Sequence, residues 1–90
     1  MCQLAVDYWH VITYILTNME DIILEKFAER IKKLRIEKDL SQEDLALKAN
    51  LDRTYIGRIE RTERNPSLIV LYKLAIAFDM DLSELLKTIK

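Results

Sequence analysis

Four arginines stand between residues 53 and 64, and three of them, Arg53, Arg58 and Arg61, share one stripe of a helix-spaced segment with Thr54 and Gly57. A guanidinium can fork onto the two acceptors of a guanine edge, and a threonine can offer a hydroxyl or a methyl to a base. A glycine on the same stripe lets the backbone come close. Residues of these types in this register suit the reading of a DNA groove. A mid-helix glycine costs about 1 kcal/mol relative to alanine, so Gly57 calls for a reason, and close approach supplies one. Catalysis is a poor alternative. The single histidine, His10, lies far from this segment. No serine or cysteine has a base partner, and neither a glycine-rich phosphate loop nor metal-ligand spacing occurs. We therefore expect no enzyme activity, metal, cofactor or small-molecule ligand.

Such a stripe must be held by a scaffold, and the flanking residues specify one. Ser41 and Asp44 have the spacing of a capping box, with Leu40 and Leu45 placed as a hydrophobic staple. Leu45, Ala46 and Ala49 then give a small apolar face that can lie close to a neighbouring helix. Asn50 tolerates the left-handed conformation that ends a helix, Leu51 is an apolar turn residue, and Asp52 can cap a second helix whose Ile56 and Ile59 point inward. Two short helices joined by a tight turn over about residues 41–61 are the geometry that lays one helix in the major groove. A charged stripe alone is more often a solvated face; the turn chemistry on both sides reverses that balance.

Upstream, Phe27, Ile31 and Leu34 recur at helical spacing, with Lys32, Lys33, Arg35 and Lys38 gathered toward the end where cations favour the dipole. Downstream, Asn65 and Pro66 break the chain, and Ser67 can cap a helix carrying Leu68, Leu71, Leu74, Ala75 and Phe78. A last helix, capped by Asp81 with Glu84 completing a capping box, bears Leu82, Leu85, Leu86 and Ile89. A second apolar stripe, Ile69, Tyr72 and Ile76, exceeds what one small core needs. With Leu82 and Leu86 it is expected to form a two-fold dimer interface that sets two recognition helices roughly 34 Å apart, facing inverted repeats. The alternative is a scatter of exposed apolar residues, which is common.

With 90 residues, half of them hydrophobic, and one glycine and one proline, the chain reads as all-α. The expectation is a compact five-helix domain over residues 21–90, preceded by a short N-terminal extension over residues 1–20. Cys2 is the only cysteine, so no disulfide framework arises within one chain, which suits a reducing cytoplasmic setting. A net charge of −1 disfavours indiscriminate nucleic-acid binding and points to a locally basic surface. The segment from Leu4 to Leu16 is mostly apolar but is interrupted by Asp7 and His10. It is too short to span a bilayer and lacks the flanks of a secretory signal. Leu4, Tyr8, Val11 and Ile15 would make a helical stripe, whereas the β-branched and aromatic content suits a strand. Two readings stay open: translation beginning at Met19, or an extra helix packing on the dimer or on a partner.

The segment LSQEDLALKANLDRTYIGRIERTER and the loop ERNPS resemble the lambda-repressor and Cro-type, or xenobiotic response element, helix-turn-helix family over about Phe27 to Leu86. Within it they are most similar to the controller proteins of restriction–modification systems, small dimers that time their own operons. The resemblance implies that Arg53, Thr54 and Arg58 face base edges and that Gln42 contacts a phosphate. It further places Tyr55 and Arg64 on the sugar-phosphate backbone, where Arg61 is expected as well, and joins Arg35 to Glu60 by an internal salt bridge. Gly57 and Arg58 depart from the small-residue pair expected of controllers, so Arg58 reads a different base or only a phosphate. The implied function is a homodimeric, sequence-specific regulator that fills inverted-repeat operators near a promoter and either helps or blocks RNA polymerase. A phage-type repressor, an antitoxin or an interaction adaptor on the same fold are the alternatives. Replacing Arg53 and Arg58 separates the DNA reader from the interaction adaptor, since only the former loses its partner while the dimer survives; an adjoining methyltransferase and endonuclease would favour the controller over a phage repressor or an antitoxin.

Overall fold

In the computed structural model, which describes residues 2–87 and 89, the chain runs through α1 (Cys2–Glu37), α2 (Gln42–Ala49), α3 (Arg53–Glu60), α4 (Leu68–Ala77) and α5 (Leu82–Leu85). No strand occurs among the described residues. Most of the boundaries have a local chemical cause. The Ser41 hydroxyl accepts from the Asp44 N–H at 3.0 Å while the Asp44 carboxylate accepts from the Ser41 N–H at 3.0 Å, which closes the capping box. Asn50 ends α2 in the left-handed region, at φ 53° and ψ 49°. Asp52 begins α3 by accepting from the Thr54 N–H at 3.0 Å, and Ser67 begins α4 by accepting from the Val70 N–H at 3.3 Å.

The last helix departs from its expected start. Asp81 has the extended backbone of a cap but makes no side-chain cap bond, so the capping box with Glu84 does not form and α5 is a single turn. It is held from outside. Arg30 of α1 donates through Nε to the Leu85 carbonyl at 3.2 Å and through Nη2 to the Glu84 carbonyl at 2.9 Å, which satisfies acceptors that a helix end leaves orphaned.

The core gathers one stripe from every helix. Ile31, Leu45, Ile56, Ile59, Leu74, Phe78 and Leu85 are fully buried, with Phe27, Leu34, Ala46, Ala49 and Ala75 closing the spaces between them. The small side chains of α2 let α3 pack closely against it, which fixes how the second helix of the pair is presented. Leu68 corrects the sequence expectation: it is exposed. As the first residue of α4 it lies a turn ahead of the buried stripe, which begins at Leu71 and continues through Leu74, Ala75 and Phe78.

The segment whose periodicity suited both helix and strand is helical, and it is continuous with the first core helix. Neither glycine nor proline occurs in α1, so nothing interrupts its hydrogen-bond ladder. No break marks residue 20. Tyr8, Val11 and Ile15 of the expected stripe are exposed, as are Trp9, Tyr14, Leu16 and Met19, while the Leu4 side chain lies outside the described residues. This projecting arm gives the molecule extents of 56 × 24 × 21 Å. Among the described residues no helix is long and apolar enough to cross a membrane.

Candidate nucleic-acid interface

The presentation of α3 rests on a polar clamp at its C-terminal end. Arg35, late in α1, donates through Nε to Glu60 Oε2 at 2.7 Å and through Nη2 to Oε1 at 3.1 Å, a bidentate fork. Its remaining Nη1 donates to the Leu40 carbonyl at 2.8 Å. Gln42 Nε2 adds a bond to Glu60 Oε1 at 3.2 Å. The two charged side chains are only 14% and 4% exposed, so each depends on the other for the solvation it has lost. Three elements, α1, α2 and α3, thereby meet at one carboxylate.

With Ile56 and Ile59 buried and Glu60 turned inward, α3 leaves Arg53, Thr54 and Arg58 exposed on the opposite side. That is a cationic ridge with one hydroxyl and one methyl, standing clear of the body. Such a ridge can enter a major groove, which is wide enough to admit a helix. Tyr55 is half-buried against the core, and the Arg64 guanidinium lies 5.3 Å from its ring centroid. This cation–π contact sets the exposed Arg64 beside α3.

Gly57 corrects the sequence reading. Expected on the open stripe, it is buried, because the side chains of Gln42 and Arg61 fold over it. A Cβ built there would stand 3.1 Å from Arg61 Nη1 and 3.6 Å from Gln42 Oε1. The absent side chain therefore makes room for two neighbouring side chains, not for a base edge. Gln42, expected at a phosphate, has its amide nitrogen on Glu60, and Arg61 is drawn to Glu63, with Nε and Nη2 each 3.2 Å from Oε2.

Sequence reasoning missed the turn that follows α3. Thr62, at φ 60°, is in the left-handed region, where its N–H donates to the Ile59 carbonyl at 3.0 Å and the next N–H, of Glu63, reaches the Arg58 carbonyl at 2.8 Å. Glycine normally holds this position, and a β-branched residue is a costly occupant. No local sequence signal announces it.

The expected dimer surface divides. Ile69, Tyr72 and Ile76 are all exposed along α4, between 59% and 69%. Leu82 and Leu86 instead pack in part against the core of their own chain and offer less surface to a partner.

A family model described as helix-turn-helix matches residues 31–85. Control protein C.MunI from a Mycoplasma species is 47% identical over 73 residues, covering 80% of this chain and 97% of the relative. The crystal structure of the restriction-modification controller protein C.AhdI from Aeromonas hydrophila superposes with a TM-score of 0.67 at 50% identity, covering 69% of this chain and 94% of that one. The controller protein C.Esp1396I, solved as a tetramer in complex with its natural 35 base-pair operator, superposes with a TM-score of 0.69 at 40% identity, over 74% of this chain and 88% of that one.

Proposed function

The chain belongs to the helix-turn-helix family and, within it, to the restriction–modification controller proteins, and from that premise we propose a homodimeric, sequence-specific transcriptional regulator acting on inverted-repeat operators. The observation that carries this reading is the two-sidedness of α3: Ile56 and Ile59 are buried, Glu60 is clamped by Arg35, and Arg53, Thr54 and Arg58 project outward. In the proposed complex Arg53 and Arg58 fork onto base edges and Thr54 adds a hydroxyl or methyl contact, each good arginine fork contributing about 1–3 kcal/mol of discrimination. Backbone contacts fall to Tyr55 within α3, to Arg61 and Arg64 just after it, and to Gln42, whose amide keeps a second hydrogen beyond the one given to Glu60.

The body from about residue 21 onward carries both DNA binding and dimerisation in this reading, with Ile69, Tyr72 and Ile76 at the centre of the two-fold contact. As the protein accumulates in the cytoplasm, dimers fill half-sites about one helical turn apart near a promoter, including that of its own gene, and help or block RNA polymerase. Selection from a random oligonucleotide pool at moderate ionic strength tests the proposal. An enriched inverted repeat is expected; a pool that yields no enriched motif overturns it.

A further inference from the structure

We propose that Glu63 sets the specificity of DNA binding by clasping Arg61 across the bare Gly57 in the free protein, so that this arginine is released to a phosphate only when α3 is fully docked. The inference deepens the operator-binding reading and rests on it. Three observations meet in one turn. Arg61 donates to Glu63 at 3.2 Å and reaches the same carboxylate oxygen with a second nitrogen at 3.2 Å. Its third nitrogen, Nη1, lies 3.1 Å from where a Cβ of residue 57 would be, so the guanidinium folds back along α3 through space that only glycine leaves. Between the two partners stands Thr62 at φ 60°. The other non-glycine residues described with positive φ are Asp39, Asn50 and Asp79, types that tolerate the conformation; Thr62 alone is β-branched. An unfavourable backbone is thus maintained where it brings a base and an acid together, at the edge of the surface that would meet DNA.

The pair is well exposed, 58% for Arg61 and 53% for Glu63, so solvent screens it and a phosphate can compete for the guanidinium. A loosely associated duplex meets a corner where Glu63 offsets the charge of Arg61. Only close docking brings a phosphate near enough to replace the carboxylate. Glu63 therefore withholds one phosphate contact from sequence-independent binding, the mode that depends most on such contacts.

The test compares the full chain with its Glu63→Gln variant on two duplexes, the inverted repeat recovered by selection and a scrambled duplex of equal length, across a salt series. The variant is expected to bind the scrambled duplex about three-fold or more tightly, with a salt slope steeper by about one phosphate contact. The recovered repeat should gain less, so the specificity ratio falls. In an Arg61→Ala background the same substitution should leave that ratio unchanged. Equal gains on both duplexes, or a fall in the ratio that survives removal of Arg61, would overturn the proposal, because Glu63 would then act on DNA by its own charge. A wild-type chain that fails to distinguish the two duplexes defeats the operator reading itself, and this inference with it.

Discussion

Arg35 and Glu60, separated by 25 residues in sequence, form a bidentate ion pair with N···O distances of 2.7 and 3.1 Å that ties the end of α1 to the end of α3. Removing one partner leaves the other charge with little solvent to stabilise it. Glu60→Ala should therefore cost about 3–5 kcal/mol in chemical denaturation, well beyond the effect of a surface substitution. Replacing both residues with apolar side chains of similar volume should recover much of that loss. A melting temperature unmoved by Glu60→Ala would mean that the clamp is not structural.

Arg53→Ala and Arg58→Ala are expected to act on binding without acting on folding. Each should weaken the complex with the recovered inverted repeat by about 1–3 kcal/mol while leaving thermal stability and dimer mass unchanged. The two need not be equal. If Arg58 reads only a phosphate, its loss will weaken binding to every duplex alike and make the salt slope shallower by about one, whereas loss of Arg53 will relax preference at one base position.

Tyr72→Glu and Ile76→Glu place a charge on the apolar face of α4, where Tyr72 and Ile76 are each 59% exposed. Sedimentation should show monomers with native helical content, because neither side chain supports the core of its own protomer. Operator affinity should fall with the dimer. A variant that stays dimeric would move the interface elsewhere, and the exposed arm of α1 would then be the next surface to change.

Asp44 supplies the pH dependence that can be assigned. Its carboxyl lies below its ordinary value, chiefly because it accepts the backbone N–H of Ser41, with further help from the Ser41 hydroxyl and from Lys48. A folded-state pKa below the unfolded one means that the unfolded chain binds the extra proton. This contribution to stability is thus fully present above the usual aspartate range, near 4, and is lost as pH falls from there through the lowered folded-state value. Asp44→Asn should narrow its stability gap from the wild type as the solution is acidified toward pH 3. A gap independent of pH would show that the capping carboxylate is not the group responsible.

The parts of this molecule that were legible in its sequence are those fixed within one helical turn. Ser41 with Asp44, Asn50, Asp52 and Ser67 each act on a backbone group two to four residues away, so spacing alone located three helix starts and one end. The buried faces of α1 to α3 were legible for the same reason. Gly57 was misjudged because its burial comes from Gln42 on another helix and from Arg61 folding back, neither of which a periodic pattern encodes. Asp81 makes no side-chain cap in a helix of only one turn, which is held instead at its opposite end by Arg30, more than fifty residues away. For Leu82 and Leu86 apolar character alone does not separate a partner-facing role from packing against their own core, where both are partly buried. The turn at Thr62 left no trace at all, since threonine is an unfavoured choice for the conformation it adopts.

The unbroken course of α1 has a geometric meaning. At 1.5 Å per residue its 36 residues make a rod roughly 54 Å long, with neither glycine nor proline between its projecting tip and the guanidinium that grips Glu60. The exposed rings of Tyr8, Trp9 and Tyr14 therefore stand on the same helix as the residue that anchors the end of α3.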